Sequence, residues 1–202
     1  MKKILAVLLA LLLFCGVSLA EDAVSSATIR MERLPEVEPQ DNGILVVYFS
    51  PDDTVRAAAW TIAGALSAEL FEIEPVEPYT ADDLNYTNSK SRFMTEMKDS
   101  KARPEIAAMP ENPAAYSTII LCYPIWGGNA PRIISTFLEQ ADLTGKTIIP
   151  FATSNSSGIG SSAKALQALT DESVEWREGK GIKKGATEGD IRIWAESLKP
   201  EE

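Results

Sequence analysis

Three short apolar runs constrain the fold of this chain more than any other feature. Ile44–Phe49, Thr118–Tyr123 and Lys146–Ala152 have uninterrupted apolar centres rich in β-branched and aromatic residues. Strands that are buried on both faces of a parallel sheet have this pattern. Two shorter strands are predicted at Phe71–Val76 and Ser173–Trp176, which gives five strands in all.

Helix-forming stretches separate these runs. Strands that alternate with helices predict an α/β protein whose parallel sheet is covered by helices on both faces. Asp53 or Thr54 is expected to cap the first helix, and Gly179–Gly185 is expected to be a loop. Apolar residues at helical spacing and helix-start signals predict the following helices: Thr54–Leu70, Asn88–Asp99, Pro131–Gln140, Ser161–Leu169 and Thr187–Leu198.

The N-terminal residues have the pattern of a targeting segment. Lys2 and Lys3 precede an apolar run, Ile4–Phe14, and Ser18–Ala20 supplies small residues at the positions that a signal peptidase reads. Residues 1–20 are therefore predicted to be a signal peptide for export through the Sec pathway, to the periplasm or outside the cell. The run is shorter than a span of about 20 residues, so no transmembrane helix is expected in the mature chain.

Cys15 raises a second interpretation of this segment, namely a lipoprotein. The residue before it is Phe14, where a lipidation signal requires a small side chain, and Cys15 lies close to the apolar run itself. Signal-peptide cleavage is therefore the favoured prediction. Residues 21–41 are polar and contain prolines, which predicts a flexible linker, and residues 42–200 are predicted to form one domain.

Composition excludes several classes of function. The 202 residues carry a net charge of −10, which gives no electrostatic reason to bind nucleic acid. Histidine is absent, which removes the usual general base and the commonest metal ligand. Two cysteines, Cys15 and Cys122, are too few for a zinc site, and no metal site is predicted. Cys122 lies in an apolar run and is expected to be a small buried side chain.

Three predicted loops leave the strands at their carboxyl ends. They are Ser50–Thr54, Pro124–Asn129 and Thr153–Gly158. Ligands of doubly wound sheets bind beyond this edge, so we expect the loops to meet there. Trp126 is expected to be exposed and to contact a flat aromatic ligand, because loops at strand ends usually lie on the surface.

The same segments resemble the flavodoxin family. The resemblance extends from about Gly43 to the end of the chain, and the aromatic and glycine loop after the third strand is its most specific part. It implies a three-layer sandwich with a five-stranded parallel sheet of order 2-1-3-4-5 and helices on both faces. The segments that carry it are Ile44–Ser50, Phe71–Pro75, Leu121–Gly128, Ala130–Pro131, Gly145–Ser154 and Ser157–Ser161.

The resemblance also implies FMN binding and electron transfer to a redox partner protein that the sequence does not identify. Ser50 and Thr54 would hold the phosphate, Trp126 would lie against the isoalloxazine ring, and Thr153–Gly158 would donate hydrogen bonds to it. No catalytic residue is assigned. The residues that the resemblance implies for cofactor binding are Ser50, Asp52, Asp53, Thr54, Val55, Pro124, Ile125, Trp126, Gly127, Gly128, Asn129, Thr153, Ser154, Asn155, Ser156, Ser157 and Gly158.

The predicted phosphate loop departs from the family pattern. Flavodoxins have hydroxyl residues and a glycine here, whereas this chain has Pro51, Asp52 and Asp53, followed by Thr54 and Val55. A carboxylate about 4 Å from a phosphate costs on the order of 4 kcal/mol near a protein surface. The alternative function is therefore a flavodoxin-fold binding module that has lost conventional FMN binding.

An FMN-bound protein of this kind could be an electron carrier or an FMN-dependent oxidoreductase. The chain has no Gly-x-Gly-x-x-Gly motif after a strand, which is the usual fingerprint of a dinucleotide site. An exported protein would also lack access to the nicotinamide cofactors of the cytoplasm. The sequence therefore favours a carrier or a binding protein over a nicotinamide-dependent enzyme.

Overall fold

The computed structural model describes residues 42–155, 158–183 and 185–199. The predicted signal peptide and linker, residues 1–20 and 21–41, lie outside these residues. The strands are β1 Ile44–Tyr48, β2 Glu69–Glu72, β3 Thr118–Pro124, β4 Thr147–Ser154, β5 Glu175–Trp176 and β6 Lys180–Lys183. The α-helices are α1 Asp53–Leu66, α2 Arg92–Lys98, α3 Arg132–Gln140, α4 Ser162–Gln167 and α5 Glu188–Glu196, and a 3₁₀ turn spans Pro113–Ala115.

All the described strand pairs are parallel, and their order is β2-β1-β3-β4-β5. This order confirms the flavodoxin-like fold that the sequence predicts. The register is continuous across the centre of the sheet, where Tyr48 lies opposite Cys122 and Cys122 lies opposite Phe151. Because the strands run in the same direction, the loops after β1, β3 and β4 leave the sheet at one edge.

Two strands share the fifth position of the sheet. β5 pairs with the start of β4, and β6 pairs with its end, so that Lys183 lies opposite Ser154. The prediction of a loop at Gly179–Gly185 was therefore wrong. Glycines and lysines have low strand propensity, which hides β6 in the sequence. A Cβ atom at Gly181 would collide with the backbone of Gly158 and Ile159, so this close approach requires glycine.

The first helix is shorter at its C-terminus than its apolar spacing predicts. It ends at Leu66, because Ser67 adopts a left-handed conformation with φ of 52°. Leu70, which was predicted to close this helix, lies in β2 instead. The second strand is therefore Glu69–Glu72 rather than Phe71–Val76. Apolar spacing misplaced this boundary because the chain turns without the glycine that usually marks a helix end.

The central strands are buried on both faces, as their sequence predicts. Val47 and Leu121 pack in one core, which α3 covers together with residues of the long segment between β2 and β3. Val46 and Ile120 face the other core, which α1 and α5 cover. Successive residues of a strand point to opposite faces, so each strand contributes to both cores.

Replacing Ser67 by glycine is expected to stabilise the protein by about 1 kcal/mol, because glycine adopts the left-handed conformation without steric cost. Ser197 is the matched control, since it ends α5 with an ordinary φ of −68°. We expect Ser197→Gly to leave the free energy of unfolding unchanged or to lower it. Urea unfolding of both variants measures the difference, and an unchanged midpoint for Ser67→Gly would contradict the prediction.

Cys122 is expected to be unreactive in the folded protein. Its side chain is completely buried, and this burial raises the pKa of the thiol well above its usual range. Thiolate, the reactive form, is therefore scarce at pH 8, and reagents have no access to the sulfur. A thiol reagent such as DTNB should label Cys122 only after unfolding in guanidinium chloride. Rapid labelling of a native chain that begins at Glu21, and therefore lacks Cys15, would show that the strand is not packed in this way.

Candidate functional site

The three loops at the carboxyl ends of the strands meet around one cleft of about 930 Å³. Every loop contributes to its wall. The predicted residues that line it are Pro124 to Gly127, Thr153 to Asn155, Asp52 and Thr54. Ser50, Asp53, Val55, Gly128, Asn129 and Gly158 are not among the lining residues, and Ser156 and Ser157 lie outside the described residues.

The loop after β1 is held by its own side chains. Asp52 caps α1, because its Oδ1 atom accepts a hydrogen bond of 3.0 Å from the Thr54 N–H. The Ser50 hydroxyl accepts a 2.9 Å hydrogen bond from the Arg56 N–H and donates one to the carbonyl oxygen of Asp52. The predicted cap, Asp53 or Thr54, is thus replaced by Asp52. The side chain of Val55 is fully buried in the core.

Arg56 is the cation nearest to this loop along the chain, and two carboxylates already bind it. Its guanidinium contacts Asp53 and Glu72, both at 2.7 Å. The hydrogen bond that Arg56 donates to Glu72 is the main reason why the pKa of Arg56 is raised. The Tyr48 hydroxyl also donates to Glu72 at 2.8 Å, and burial is the main cause of the raised pKa of Tyr48.

Trp126 lines the cleft, but only 7% of its surface is exposed. The expectation of an exposed indole was therefore wrong. Phe49 and Tyr79 contact it edge-on, with ring centroids 5.8 and 5.6 Å away, and Phe93 approaches to 4.7 Å. Tyr79 and Phe93 belong to the segment between β2 and β3, which covers the tryptophan from outside the sheet.

A buried polar network fastens that segment behind Trp126. Glu96 accepts 2.6 Å hydrogen bonds from the Tyr79 hydroxyl and from the Arg92 guanidinium, which also lies over the Tyr79 ring at 3.9 Å. Burial is the main reason why the pKa of Tyr79 is strongly raised. Arg132, the first residue of α3, donates to the carbonyl oxygens of Glu96 and Met97. These charge-assisted hydrogen bonds connect α2 to the helix that follows the tryptophan loop.

The loop that carries Trp126 is a tight turn. The backbones of Trp126 and Asn129 exchange hydrogen bonds of 2.8 and 2.9 Å. Gly127 and Gly128 lie between them with φ of 53° and 86°, a conformation that favours glycine. Gly127 lines the cleft and carries no side chain, so a ligand can approach its backbone closely.

The opposite wall is polar. It is formed by the end of β4, at Thr153 and Ser154, and by Asn155. The Ser154 hydroxyl accepts a 2.9 Å hydrogen bond from the Gly158 N–H, which ties Gly158 to the end of β4. Hydroxyl and amide groups can both donate and accept hydrogen bonds. This wall therefore suits the polar edge of a ring system.

Several lining residues had no recognisable signal in the sequence. Tyr86 stands at the mouth of the cleft and is 73% exposed. Among the described lining residues, Asp52 and Lys183 are the charged ones, and Lys183 comes from the unpredicted strand β6. Polar, proline-rich stretches gave no reason to place these residues at a site. The lining residues that the sequence did not identify are Pro51, Leu84, Tyr86, Phe93, Met94, Ile182, Lys183, Gly185 and Ala186.

The described residues contain no group of three or more acidic or cysteine side chains that could hold a metal ion. Within the same part of the chain, none of the helices has the length and the apolar character that crossing a membrane requires.

Comparison with known proteins identifies the family. The flavodoxin family profile matches residues 43–198. A candidate flavoprotein from Bacteroides eggerthii is 42% identical, with a TM-score of 0.70 over 77% of this chain and 96% of that one. A second, from Bacteroides uniformis, is also 42% identical, with a TM-score of 0.71 over 75% and 96%.

A flavoprotein from Lactobacillus acidophilus, solved in complex with FMN, shares the fold at 21% identity. Its TM-score is 0.58 over 67% of this chain and 90% of that one. No curated protein gives a significant match. The strand order, the family profile and the Bacteroides relatives agree, and the chain belongs to the flavodoxin family.

Proposed function

We propose that this protein binds a flavin in the cleft and transfers electrons through it. The observation that carries the proposal is that Trp126, the Gly127 backbone and the polar end of β4 at Thr153–Asn155 all line the same cleft. Ligand pockets typically combine aromatic surface with a few polar groups in this way. FMN is the flavin that the Lactobacillus acidophilus protein holds, which supports FMN-type chemistry for this family member.

The ring end of the cleft fits a flavin. Trp126 lines this end of the cleft and is held by Phe49 and Phe93, so contact with a ligand there would cost little conformational entropy. Thr153 and Asn155 would supply hydrogen bonds to the ring's polar edge. A bound flavin supplies the electron-transfer chemistry, and the protein adjusts its potential through such contacts.

The phosphate end of the cleft fits FMN less well. Helix N-termini bind phosphates through free backbone N–H groups, but the Asp52 side chain already accepts from the Thr54 N–H. This observation favours the second candidate function, a flavodoxin-fold module that has lost conventional FMN binding. Both candidates use the same cleft, and flavin affinity distinguishes them.

Within the first candidate, we propose an electron carrier that serves a partner protein. The described loop after β1 is self-capped and has no dinucleotide-binding glycine pattern. A nicotinamide cofactor would need such a phosphate-binding turn at a helix start. Exchange of electrons with a protein requires only an accessible ring edge, and the open mouth beside Tyr86 would provide one.

Titration of the purified protein with FMN and with riboflavin tests flavin binding directly. We expect at least one flavin to bind with a dissociation constant of about 1 μM or below, which corresponds to roughly 8 kcal/mol of binding free energy. Quenching of flavin fluorescence and a shift of its absorbance bands would report the complex. If the protein quenches the fluorescence of neither flavin, the result would favour the second candidate function, a binding module that has lost conventional FMN binding.

Trp126 variants test the position of the ring. Trp126→Phe keeps an aromatic side chain in the cluster and should weaken flavin binding by about tenfold, whereas Trp126→Ala should weaken it further. Trp194→Phe is the control, because Trp194 packs on Phe151 in the core on the other face of the sheet. Equal affinity of the Trp126 and Trp194 variants would place the flavin elsewhere.

We also propose that the protein is exported. Lys2, Lys3, the apolar run Ile4–Phe14 and the small residues at Ser18 and Ala20 support this proposal. Fractionation of the producing cells should recover a mature protein whose N-terminal sequence begins at Glu21. A chain that starts at a lipid-modified Cys15 would indicate a lipoprotein, and an uncleaved chain in the cytoplasm would contradict export.

A further inference from the structure

We propose that the cleft prefers a flavin without a terminal phosphate, of the riboflavin type, over FMN. The inference rests on the proposed flavin-binding function and concerns only the end of the cleft at the loop after β1. Pro51, Asp52 and Thr54 form that end. The arrangement of their donors, acceptors and charges decides whether a phosphate or a hydroxyl group fits there.

The chain itself occupies two of the backbone hydrogen-bond donors near the start of α1. Asp52 accepts from the Thr54 N–H at 3.0 Å, and Ser50 accepts from the Arg56 N–H at 2.9 Å. The Ser50 hydroxyl proton is directed to the Asp52 carbonyl oxygen. Pro51 has no N–H to offer. A phosphate could reach these donors only by displacing an acceptor that is already in place.

The charges of this loop also oppose a phosphate. Asp52 lines the cleft, and the side chain of Asp53 next to it is 86% exposed. Arg56 cannot neutralise the charges of both Asp52 and Asp53. Its guanidinium already contacts Asp53 and Glu72, each at 2.7 Å. The α1 N-terminus therefore presents a carboxylate to the cleft, and its charge opposes the attraction of the helix dipole for an anion.

Lys183 is the described cation that lines the cleft, but its strand lies three positions across the sheet from this loop. β1 pairs with β3, β3 with β4, and β4 with β6. Three strand spacings separate β1 from β6, or about 14 Å. Lys183 therefore stands closer to the ring end of the cleft than to the loop after β1. It does not supply the counter-charge that a phosphate at Asp52 would need.

A ribityl hydroxyl suits the same loop. Carboxylates accept hydrogen bonds but cannot donate them, whereas a hydroxyl can donate. The Asp52 carboxylate would therefore accept a hydrogen bond from a terminal hydroxyl of riboflavin without displacing the helix cap, since carboxylate oxygens have several lone pairs. The phosphate monoester of FMN carries between −1.5 and −2 charges at neutral pH and has almost no proton to donate. The two ligands differ only at this group, which makes them a matched pair.

Dissociation constants of the mature protein for riboflavin and FMN give the test. At low ionic strength, we expect the dissociation constant for riboflavin to be lower than that for FMN by about tenfold or more, because the loop repels the phosphate. Raising NaCl from about 50 to about 500 mM should strengthen FMN binding and leave riboflavin binding unchanged, since salt screens the repulsion. A smaller preference, or FMN binding that weakens with salt, overturns the inference.

A charge-removing variant locates the effect. Asp52→Ser together with Asp53→Asn keeps a helix cap, because serine caps as well as aspartate, and removes both carboxylates. The matched control is Glu111→Gln with Glu172→Gln, two exposed glutamates outside the cleft-lining residues. We expect the first pair alone to shift the affinity ratio towards FMN, by about threefold or more.

The outcomes separate this inference from the proposed function. Binding of neither flavin contradicts the proposed function and the inference together. Binding of both, with FMN as tight as riboflavin, contradicts the inference alone. An unchanged ratio in the Asp52→Ser/Asp53→Asn variant, or an equal shift in the glutamate control, also overturns it. If the loop variant fails to fold by circular dichroism, the salt series on the unaltered protein still decides.

Discussion

The continuous register of β1, β3 and β4 is the constraint on which the rest of the structure depends. Their backbones pair from Ile44 and Thr118 to Pro124 and Thr153 without interruption. A buried backbone N–H or carbonyl group without a partner is costly, so these apolar strands must pair in full. Full pairing of parallel strands brings their carboxyl ends to one edge. The cleft therefore follows from the sheet, and the loops determine only what the cleft can bind.

The ligand-facing tryptophan depends on a second, less regular layer. Trp126 is held from one side by Phe49 of the sheet edge and from the other by Tyr79 and Phe93. The segment that carries the latter two packs its apolar side chains against the core on this face of the sheet. Arg132 of α3 fastens it, because its guanidinium donates hydrogen bonds to the backbone carbonyl oxygens of Glu96 and Met97. Within the segment, the Glu96 carboxylate holds Tyr79 in place. A rigid aromatic wall is thus obtained from a buried polar network behind it.

Apolar patterning predicted the three central strands and the position of the cleft, because burial on both faces leaves a strong local signal. It missed β6, whose glycine, Gly181, reflects a close approach to the backbone of Ile159, far away in sequence. It also extended α1 beyond Ser67, since the left-handed turn there lacks a glycine. The partners of Trp126 left no local signal, and the burial of this residue was therefore missed. What escaped prediction depends on contacts between distant parts of the chain.

The loop after β1 determines what the start of α1 can offer a ligand. A helix N-terminus has unsatisfied N–H groups that either a ligand or the chain must bind. Here Asp52 binds the Thr54 N–H and Ser50 binds the Arg56 N–H, so the chain supplies part of what a ligand would offer. A phosphate would gain correspondingly less at this helix end, where it would also meet the Asp52 carboxylate. In the proposed flavin complex, affinity would come mainly from the ring end of the cleft, at Trp126 and the end of β4. The ring rather than the phosphate would then anchor the ligand.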